Sequence, residues 1–153
     1  MNKVLVFSAI PVSALLTGAL LFFSGTMTSE ATDITVYKSP LCGCCTKWEK
    51  HMEANGFRVK SVKMDDVRPI KTRYGVAPSL ASCHTAVIDG YVIEGHVPAA
   101  DIKRMLKERP RIQGLAVPGM PSGSPGMEQG YNDPYEVLSF DNAGNLSVYS
   151  KHP

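Results

Sequence analysis

The chain has 153 residues, of which 44% are hydrophobic and 20% are charged, with 13 Gly, 11 Pro and 4 Cys. This composition is that of a globular protein and excludes a disordered or collagen-like chain. The length favours one domain over two. A net charge of +2, without a block of Lys or Arg, gives no support for nucleic-acid binding. Four cysteines are too few for a disulfide scaffold and indicate a functional site.

The N-terminal segment has the pattern of an export signal. Lys3 precedes an almost unbroken apolar run over residues 4–23, and small polar residues follow it. This order predicts a signal peptide over residues 1–31. The run is also close to the shortest length that spans a bilayer, so an uncleaved N-terminal anchor is the alternative. In either case we expect residues 32–153 to form one exported domain in an oxidising compartment.

The exported part alternates strand and helix patterns. The order is that of a thioredoxin-like α/β fold, in which a βαβ unit and an antiparallel hairpin form a mixed sheet with flanking helices. Asp89-Gly90 between two β-prone runs is the hairpin signal. The predicted elements are strand 34–37, helix 42–55, strand 57–64, helix 65–74, a turn or loop over 75–78, strands 83–88 and 91–94, and helix 99–107.

The C-terminal part has a different character. Residues 117–130 contain three prolines, four glycines, Met120 and Met127, and they show no periodicity. This pattern predicts a Gly/Pro-rich loop. Residues 135–140 and 146–149 are β-prone and flank a turn, so we expect a C-terminal β-hairpin.

Three cysteines, Cys42, Cys44 and Cys45, lie within four residues at the predicted start of a helix. The first turn of a helix has unpaired N–H groups and about half a positive charge, which stabilise a thiolate. The thiolate is both the nucleophile and the metal ligand of cysteine. Cys42 and Cys45 form a C-x-x-C pair on one face of that turn. Cys44 is an additional thiol that a dithiol enzyme does not require.

Cys83 is the fourth cysteine, and the hairpin fixes its register. Counting back from Asp89-Gly90 places Cys83 at the start of a strand that begins beside the cysteine-bearing helix in a thioredoxin-like fold. We therefore expect Cys83 to face the three other cysteines in one four-sulfur site. The alternative, a small buried apolar residue, is less favoured because an exported chain has reason to avoid an idle thiol.

Four thiolates in one place indicate a soft metal ion. Such ligands favour Cu(I) and also bind zinc and Fe–S clusters. The C-x-C-C spacing differs from the paired motifs of zinc sites. Adjacent Cys44 and Cys45 cannot easily direct both sulfurs at one centre, but they can bridge several Cu(I) ions, whose charges would offset those of the thiolates. The pattern predicts Cys42, Cys44, Cys45 and Cys83 as ligands of a multinuclear, thiolate-bridged Cu(I) cluster.

Weaker signals come from His84, His96, Met120 and Met127. A regular strand would direct His84 away from Cys83, and a structural role suits it at least as well as ligation. His96 follows the hairpin and is a candidate for contact with the ligands, although a structural role is favoured. The two methionines are candidate thioether ligands or a cover for the site, with packing favoured.

Four separated motifs resemble those of the CopG family of periplasmic copper-resistance and metal-binding proteins. They are YKSPLCGCC at 37–45, SCHTA at 82–86, GYVIEGHVP at 90–98 and GLAVPGMPSGSPGME at 114–128. The resemblance covers about residues 33–150. It implies a thioredoxin-like fold and a role in copper tolerance, with copper bound through the four cysteines. It also implies interconversion of Cu(I) and Cu(II), and it makes periplasmic copper chaperones or an export pump candidate partners.

Two other functions stay open at this point. A thiol–disulfide oxidoreductase would use Cys42 and Cys45 as its catalytic pair, through a mixed disulfide. The extra Cys44 disfavours this interpretation, and so does Ser82, which stands where thioredoxins have a cis-proline. A structural zinc domain would use the cysteines to hold its fold. A Cys42–Cys45 disulfide would block metal loading, so we expect copper affinity to fall on oxidation and to return with reductant.

Overall fold

The computed structural model describes residues 31–153. The signal peptide or anchor predicted over residues 1–31 lies outside the described residues, apart from Ala31. Within the described part, no helix has both the length and the apolarity needed to cross a membrane. The elements are β1 (Thr32–Lys38), α1 (Gly43–Ala54), β2 (Phe57–Lys63), α2 (Arg68–Arg73), a 3₁₀ turn (Pro78–Leu80), β3 (His84–Ile88), β4 (Tyr91–Glu94), α3 (Ala99–Glu108), β5 (Gly114–Ala116), β6 (Tyr135–Phe140) and β7 (Leu146–His152).

Seven strands form one mixed sheet in the order β2-β1-β3-β4-β5-β6-β7. β1 and β2 are parallel, as expected for strands joined through a helix. β3 runs antiparallel to both β1 and β4. This arrangement confirms the predicted α/β class, with a parallel βαβ unit followed by an antiparallel hairpin.

The β3–β4 hairpin turns at the predicted dipeptide. Asp89 and Gly90 both have positive φ, +48° and +85°. Such a turn matches the twist of the flanking strands, which is why Asp-Gly is favoured there. Ile88 pairs with Tyr91 across the turn, so the register is that of a two-residue loop.

The second helix begins later than the sequence predicts. The sequence predicts a helix over residues 65–74, but α2 starts at Arg68 because the Asp66 side chain bonds to the backbone that follows it. Its Oδ1 accepts the backbone N–H of Arg68 at 2.9 Å. Such a local side-chain bond competes with helix formation over the same residues. A 3₁₀ turn, Pro78–Leu80, begins at the last residue of the loop predicted over residues 75–78.

The C-terminal hairpin belongs to the main sheet. β5 was not predicted, because three residues are too few to show periodicity, yet β5 pairs with both β4 and β6. Gly114 makes this possible, since a Cβ there would lie 1.9 Å from the Val92 carbonyl oxygen. β6 and β7 form the predicted hairpin, with β7 longer than expected.

The hydrophobic core lies between the sheet and the two longer helices. Trp48 and Met52 anchor α1, while Ile102 and Met105 anchor α3, and all four are fully buried. The end of β1, the start of α1 and the start of β3 are thereby held at one edge of this core. The main buried cluster comprises Ile34, Val36, Trp48, Met52, Phe57, Ala86, Ile88, Ile93, Val97, Ala99, Ile102, Met105, Leu115, Val117 and Val137.

Candidate functional site: a cysteine and histidine cluster

Three cysteines occupy the first turn of α1, as the sequence predicts. Cys42 is the N-cap residue with extended backbone, and its N–H donates to the Ser39 carbonyl at 3.1 Å. No side chain caps the helix. The thiols therefore lie at the end of the helix where N–H groups lack helical partners and a negative charge is favoured.

A buried lysine at the end of β1 contacts the first turns of α1. Lys38, the last residue of β1, contacts Glu49 at 3.0 Å and donates to the Thr46 hydroxyl. Thr46 in turn donates to the Cys42 carbonyl at 3.3 Å. Because Lys38 and Glu49 are both buried, their charges compensate each other. The pair connects β1 to the cysteine-bearing turn.

The segment that carries the fourth cysteine is held by a buried carboxylate. Glu94 in β4 is fully buried and accepts the Ser82 N–H at 2.6 Å and the Thr85 hydroxyl at 2.7 Å. Lys71 of α2 forms an ion pair with the same side chain. A buried carboxylate is stable only with such partners. The bonds on either side of Cys83 fix its position.

The four sulfurs lie together. All four Sγ atoms are within 4.8 Å of one another. Cys44 is the centre of the group, 3.4 Å from Cys42 and 3.8 Å from Cys83. The structure therefore places the distant cysteine against the three at the helix start, as the hairpin register predicts. Metal ligation by these cysteines stays a prediction.

Two of the four thiols are oxidised in this structure. Cys42 and Cys45 form a disulfide with a Cα–Cα distance of 5.4 Å, while Cys44 and Cys83 are free. Cys42 is half-buried and Cys45 is fully buried. These two residues would offer free thiolates only after reduction of the disulfide.

Two histidines contact the free thiol of Cys83. The Nε2 atom of His96 lies 3.0 Å from the Cys83 sulfur, and Nδ1 of His84 lies 3.4 Å from it. The expectation that His84 points away from the site was wrong. It assumed a regular strand through Cys83, but β3 begins only at His84, so side-chain alternation does not apply between the two residues.

Burial keeps this cluster uncharged. It raises the pKa of Cys83 to about 12, and the neighbouring Cys44 adds to the shift. Burial also lowers the pKa of His84 well below its ordinary value and lowers that of His96. At neutral pH Cys83 is therefore a thiol and the imidazoles are neutral. Neutral imidazole is the form that binds metals.

The Gly/Pro-rich loop packs on the cysteine-bearing helix. A Cβ at Gly126 would lie 2.8 Å from the Cys44 carbonyl oxygen and 2.9 Å from the backbone nitrogen of Trp48. A cavity of about 330 Å³ lies between loop and helix, with Met127 in its wall beside Cys44. Met120 lies elsewhere in the loop and is 52% exposed. Nothing in the residue pattern indicates the close approach at Gly126.

Comparisons with known proteins agree with these motifs. A family model described as "Protein of unknown function, DUF411" matches residues 80–127. No curated protein matches the sequence. Two solved structures, named "Copper resistance protein copG" Form 2 and Form 1, are 50% identical to this chain with a TM-score of 0.77. Each covers 81% of this chain, which spans 100% and 99% of theirs. The chain belongs to the CopG family of copper resistance proteins.

Proposed function

We propose that the protein is a periplasmic copper-binding protein for copper tolerance, which binds Cu(I) through Cys42, Cys44, Cys45 and Cys83. The observation that carries the proposal is the meeting of all four sulfurs within 4.8 Å of one another. Thiolates are soft ligands, which suit Cu(I) as well as zinc and Fe–S clusters. The two related structures are of copper resistance proteins, which supports copper as the metal.

The spacing of the sulfurs supports a cluster of several copper ions. Cys44 and Cys45 are neighbours in the chain, and Cys44 lies close to both Cys42 and Cys83. A sulfur between two others is placed to bridge metal ions. Reduction of the Cys42–Cys45 disulfide must come first, because only thiolates bind the metal.

The decisive experiment is an anaerobic Cu(I) titration of the reduced protein against a chromophoric Cu(I) chelator. We expect more than one Cu(I) per chain in the wild type and a lower number in each Cys→Ser variant. Ser147→Ala in β7, far from the cysteines in the sheet order, is the control and should load like the wild type. A wild-type protein that takes up no Cu(I) would overturn the proposal.

The periplasmic location is part of this proposal, and the sequence of residues 1–31 supports it. Cell fractionation combined with N-terminal sequencing of the mature protein tests it. A chain that begins near residue 32 in the periplasmic fraction fits a cleaved signal peptide, and a full-length chain in the membrane fraction fits an anchor. A full-length chain in the cytoplasm would contradict export.

A second candidate function is favoured by the disulfide itself. Cys42 is half-buried at the helix start and Cys45 is buried behind it, and the strand order supports a thioredoxin-like fold. In a thiol–disulfide oxidoreductase the Cys42 thiolate attacks a substrate disulfide, and one substrate sulfur leaves as a thiolate. Cys45 then attacks the mixed disulfide, releases the second substrate thiol and leaves the Cys42–Cys45 disulfide.

A Cys45→Ser variant tests this second function, because it would arrest the reaction at the mixed disulfide. An oxidoreductase function predicts covalent adducts on Cys42 after growth in cells, visible on a non-reducing gel. The matched control is Cys42→Ser/Cys45→Ser, which cannot form them. Absence of adducts, together with normal Cu(I) loading of the wild type, would leave copper binding as the function.

A further inference from the structure

The two cysteines outside the disulfide form a second pair. Cys44 and Cys83 are free, and their sulfurs lie 3.8 Å apart. A disulfide joins sulfurs about 2.05 Å apart, so the two side chains have to close a gap of about 1.8 Å. The chain has four cysteines, and all of them lie in this cluster. Once Cys42 and Cys45 are joined, each of the two free thiols therefore has only the other as a partner within the chain.

The fold holds these two cysteines together although they lie 39 residues apart in the chain. Cys44 belongs to the first turn of α1. Cys83 lies between Ser82 and Thr85, and both of these residues donate hydrogen bonds to the buried Glu94 carboxylate. Folding has already met the entropic cost of bringing the two ends of this long loop together. Joining the sulfurs then requires movement of the two side chains only.

The cavity between the Gly/Pro-rich loop and α1 gives a small molecule access to one of the two thiols. It has a volume of about 330 Å³ and is lined by Cys44 together with Gly43, Lys47 and Met127, among others. Cys83 does not line this cavity. Burial also raises the pKa of Cys83 to about 12, so it contains little thiolate at neutral pH. Cys44 is therefore placed to react first with a small molecule, and Cys83 is placed to react with Cys44.

We propose that Cys44 and Cys83 are a second redox-active pair, which a low-molecular-weight disulfide bound in the cavity beside Cys44 oxidises to a Cys44–Cys83 disulfide. The inference goes beyond the proposed function, because the reaction requires no copper. It gives the protein a state with two disulfides, Cys42–Cys45 and Cys44–Cys83. In that state no cysteine thiolate is left to bind a metal ion.

The oxidation proceeds in two exchange steps. In the first, the Cys44 thiolate attacks one sulfur of the small disulfide, whose S–S bond breaks, and the other half leaves as a thiolate that takes up the proton lost by Cys44. In the second, the Cys83 thiolate attacks the Cys44 sulfur of this mixed disulfide, and the remaining half leaves as a thiolate that takes up the Cys83 proton. The cysteine pair loses two electrons and two protons, and the small disulfide is reduced to two thiols.

The test treats the full exported chain, free of metal and with the Cys42–Cys45 disulfide formed, with oxidised glutathione as the probe. We expect the count of free thiols to fall from two to zero. The final mass should be lower by two hydrogen atoms and should include no glutathione. Proteolysis without reduction should yield the Cys83 peptide joined to the peptide that contains Cys44. A thiol count that stays at two, a glutathione adduct that persists on Cys44, or a disulfide-linked dimer would overturn the inference.

Two variants assign the new disulfide to its residues. Cys42→Ser/Cys45→Ser leaves only Cys44 and Cys83, and it should lose both thiols to the same cross-link and regain them with reductant. Cys44→Ser is the matched control and should show no link between the two peptides, whereas a link in this variant would overturn the assignment.

Cu(I) loading of the reduced wild type is measured in parallel with these reactions. Cu(I) uptake without the cross-link would show that only the second pair has failed. The cross-link without Cu(I) uptake would support the second pair and show that the proposed copper function has failed.

Discussion

The protonation state of Cys83 determines how metal binding responds to pH. Its sulfur is held between Cys44 and two imidazoles, and burial raises the pKa of the thiol to about 12. Across the neutral range the metal-free protein therefore keeps this proton. A metal ion can bind the sulfur only by displacing it.

We expect the apparent Cu(I) affinity of the reduced protein to rise steadily between about pH 6 and about pH 9. This whole interval lies below the raised pKa of Cys83, so the metal-free thiol stays protonated throughout it. The sign follows from mass action, because a higher pH removes the competing proton. Cu(I) titration in weakly buffered solution measures the protons released per ion. Cys83→Ser should release at least one proton fewer per chain at saturation. Equal release by both proteins would contradict a protonated Cys83.

Glu94 is the residue on which the placement of Cys83 depends. Its fully buried carboxylate accepts hydrogen bonds from both sides of the cysteine and pairs with Lys71. Glu94→Ala leaves a buried ammonium group and the Ser82 N–H without their partner. We expect a loss of about 3–5 kcal/mol in the free energy of unfolding, measured by urea denaturation.

The control for this prediction is an exposed glutamate in another strand. Glu136 pairs with Lys151 on the surface, with 43% and 75% of the two side chains exposed. Water and salt screen such a pair, so Glu136→Ala should cost less than about 1 kcal/mol. Similar losses in the two variants would mean that burial of Glu94 does not have the effect assigned to it.

At the scale of elements, the loop over residues 117–130 is the part of the site whose structure is least predictable from the sequence pattern. Gly126 adopts φ +90° with its Cα against the backbone of α1, and the adjoining Pro125 carbonyl accepts the bond from His96. The loop therefore helps to orient the His96 ring through this hydrogen bond. It belongs to the site although it has no regular secondary structure.

Gly126→Ala tests the packing of this loop, and Gly130→Ala is its matched control. Both glycines have φ near +90°, but a Cβ at Gly130 meets nothing within 4 Å. Backbone strain alone should cost Gly130→Ala about 1–2 kcal/mol. Gly126→Ala should cost about 1–3 kcal/mol more, because its Cβ overlaps backbone atoms. Urea denaturation measures both, and equal losses would contradict close packing of the loop on α1.

Local chemistry explains which elements could be predicted from the sequence. Asp89-Gly90 predicts a hairpin because both residues can adopt the positive φ that a tight turn requires. The register of that hairpin correctly places Cys83 beside the other cysteines. β5 has no such local signal, since its three residues become a strand only between β4 and β6. The contact of His84 with Cys83 depends on where β3 begins, and strand boundaries are weakly encoded in sequence.

At the scale of the molecule, the site joins distant parts of one sheet. Cys42 follows β1, Cys83 precedes β3, His96 follows β4, and Pro125 comes from the loop between β5 and β6. The four cysteines could be predicted as a group because two local motifs and one hairpin register were enough. The roles of Glu94 and Pro125 could not, because long-range packing alone creates them.

Formation of the Cys42–Cys45 disulfide should lower the number of Cu(I) ions that the protein binds. With Cys42 and Cys45 joined, the sulfur cluster loses two of its four ligands, while Cys44 and Cys83 stay free. We expect Cu(I) capacity to fall sharply in the oxidised protein and to return fully after anaerobic reduction, as measured by Cu(I) titration before and after treatment. The two remaining sulfurs and the two imidazoles cannot hold several ions without the lost thiolates.

A Cys42→Ser/Cys45→Ser variant separates the loss of ligands from the presence of the disulfide. It cannot form this disulfide, so its Cu(I) capacity should already be low and should not respond to reduction, provided that Cys44 and Cys83 stay reduced. Its thiol count shows directly whether they do. If the wild type kept full Cu(I) capacity with the disulfide intact, thiolate ligation by Cys42 and Cys45 would be refuted. Copper binding would then have to be assigned to Cys44 and Cys83, whose sulfurs lie 3.8 Å apart.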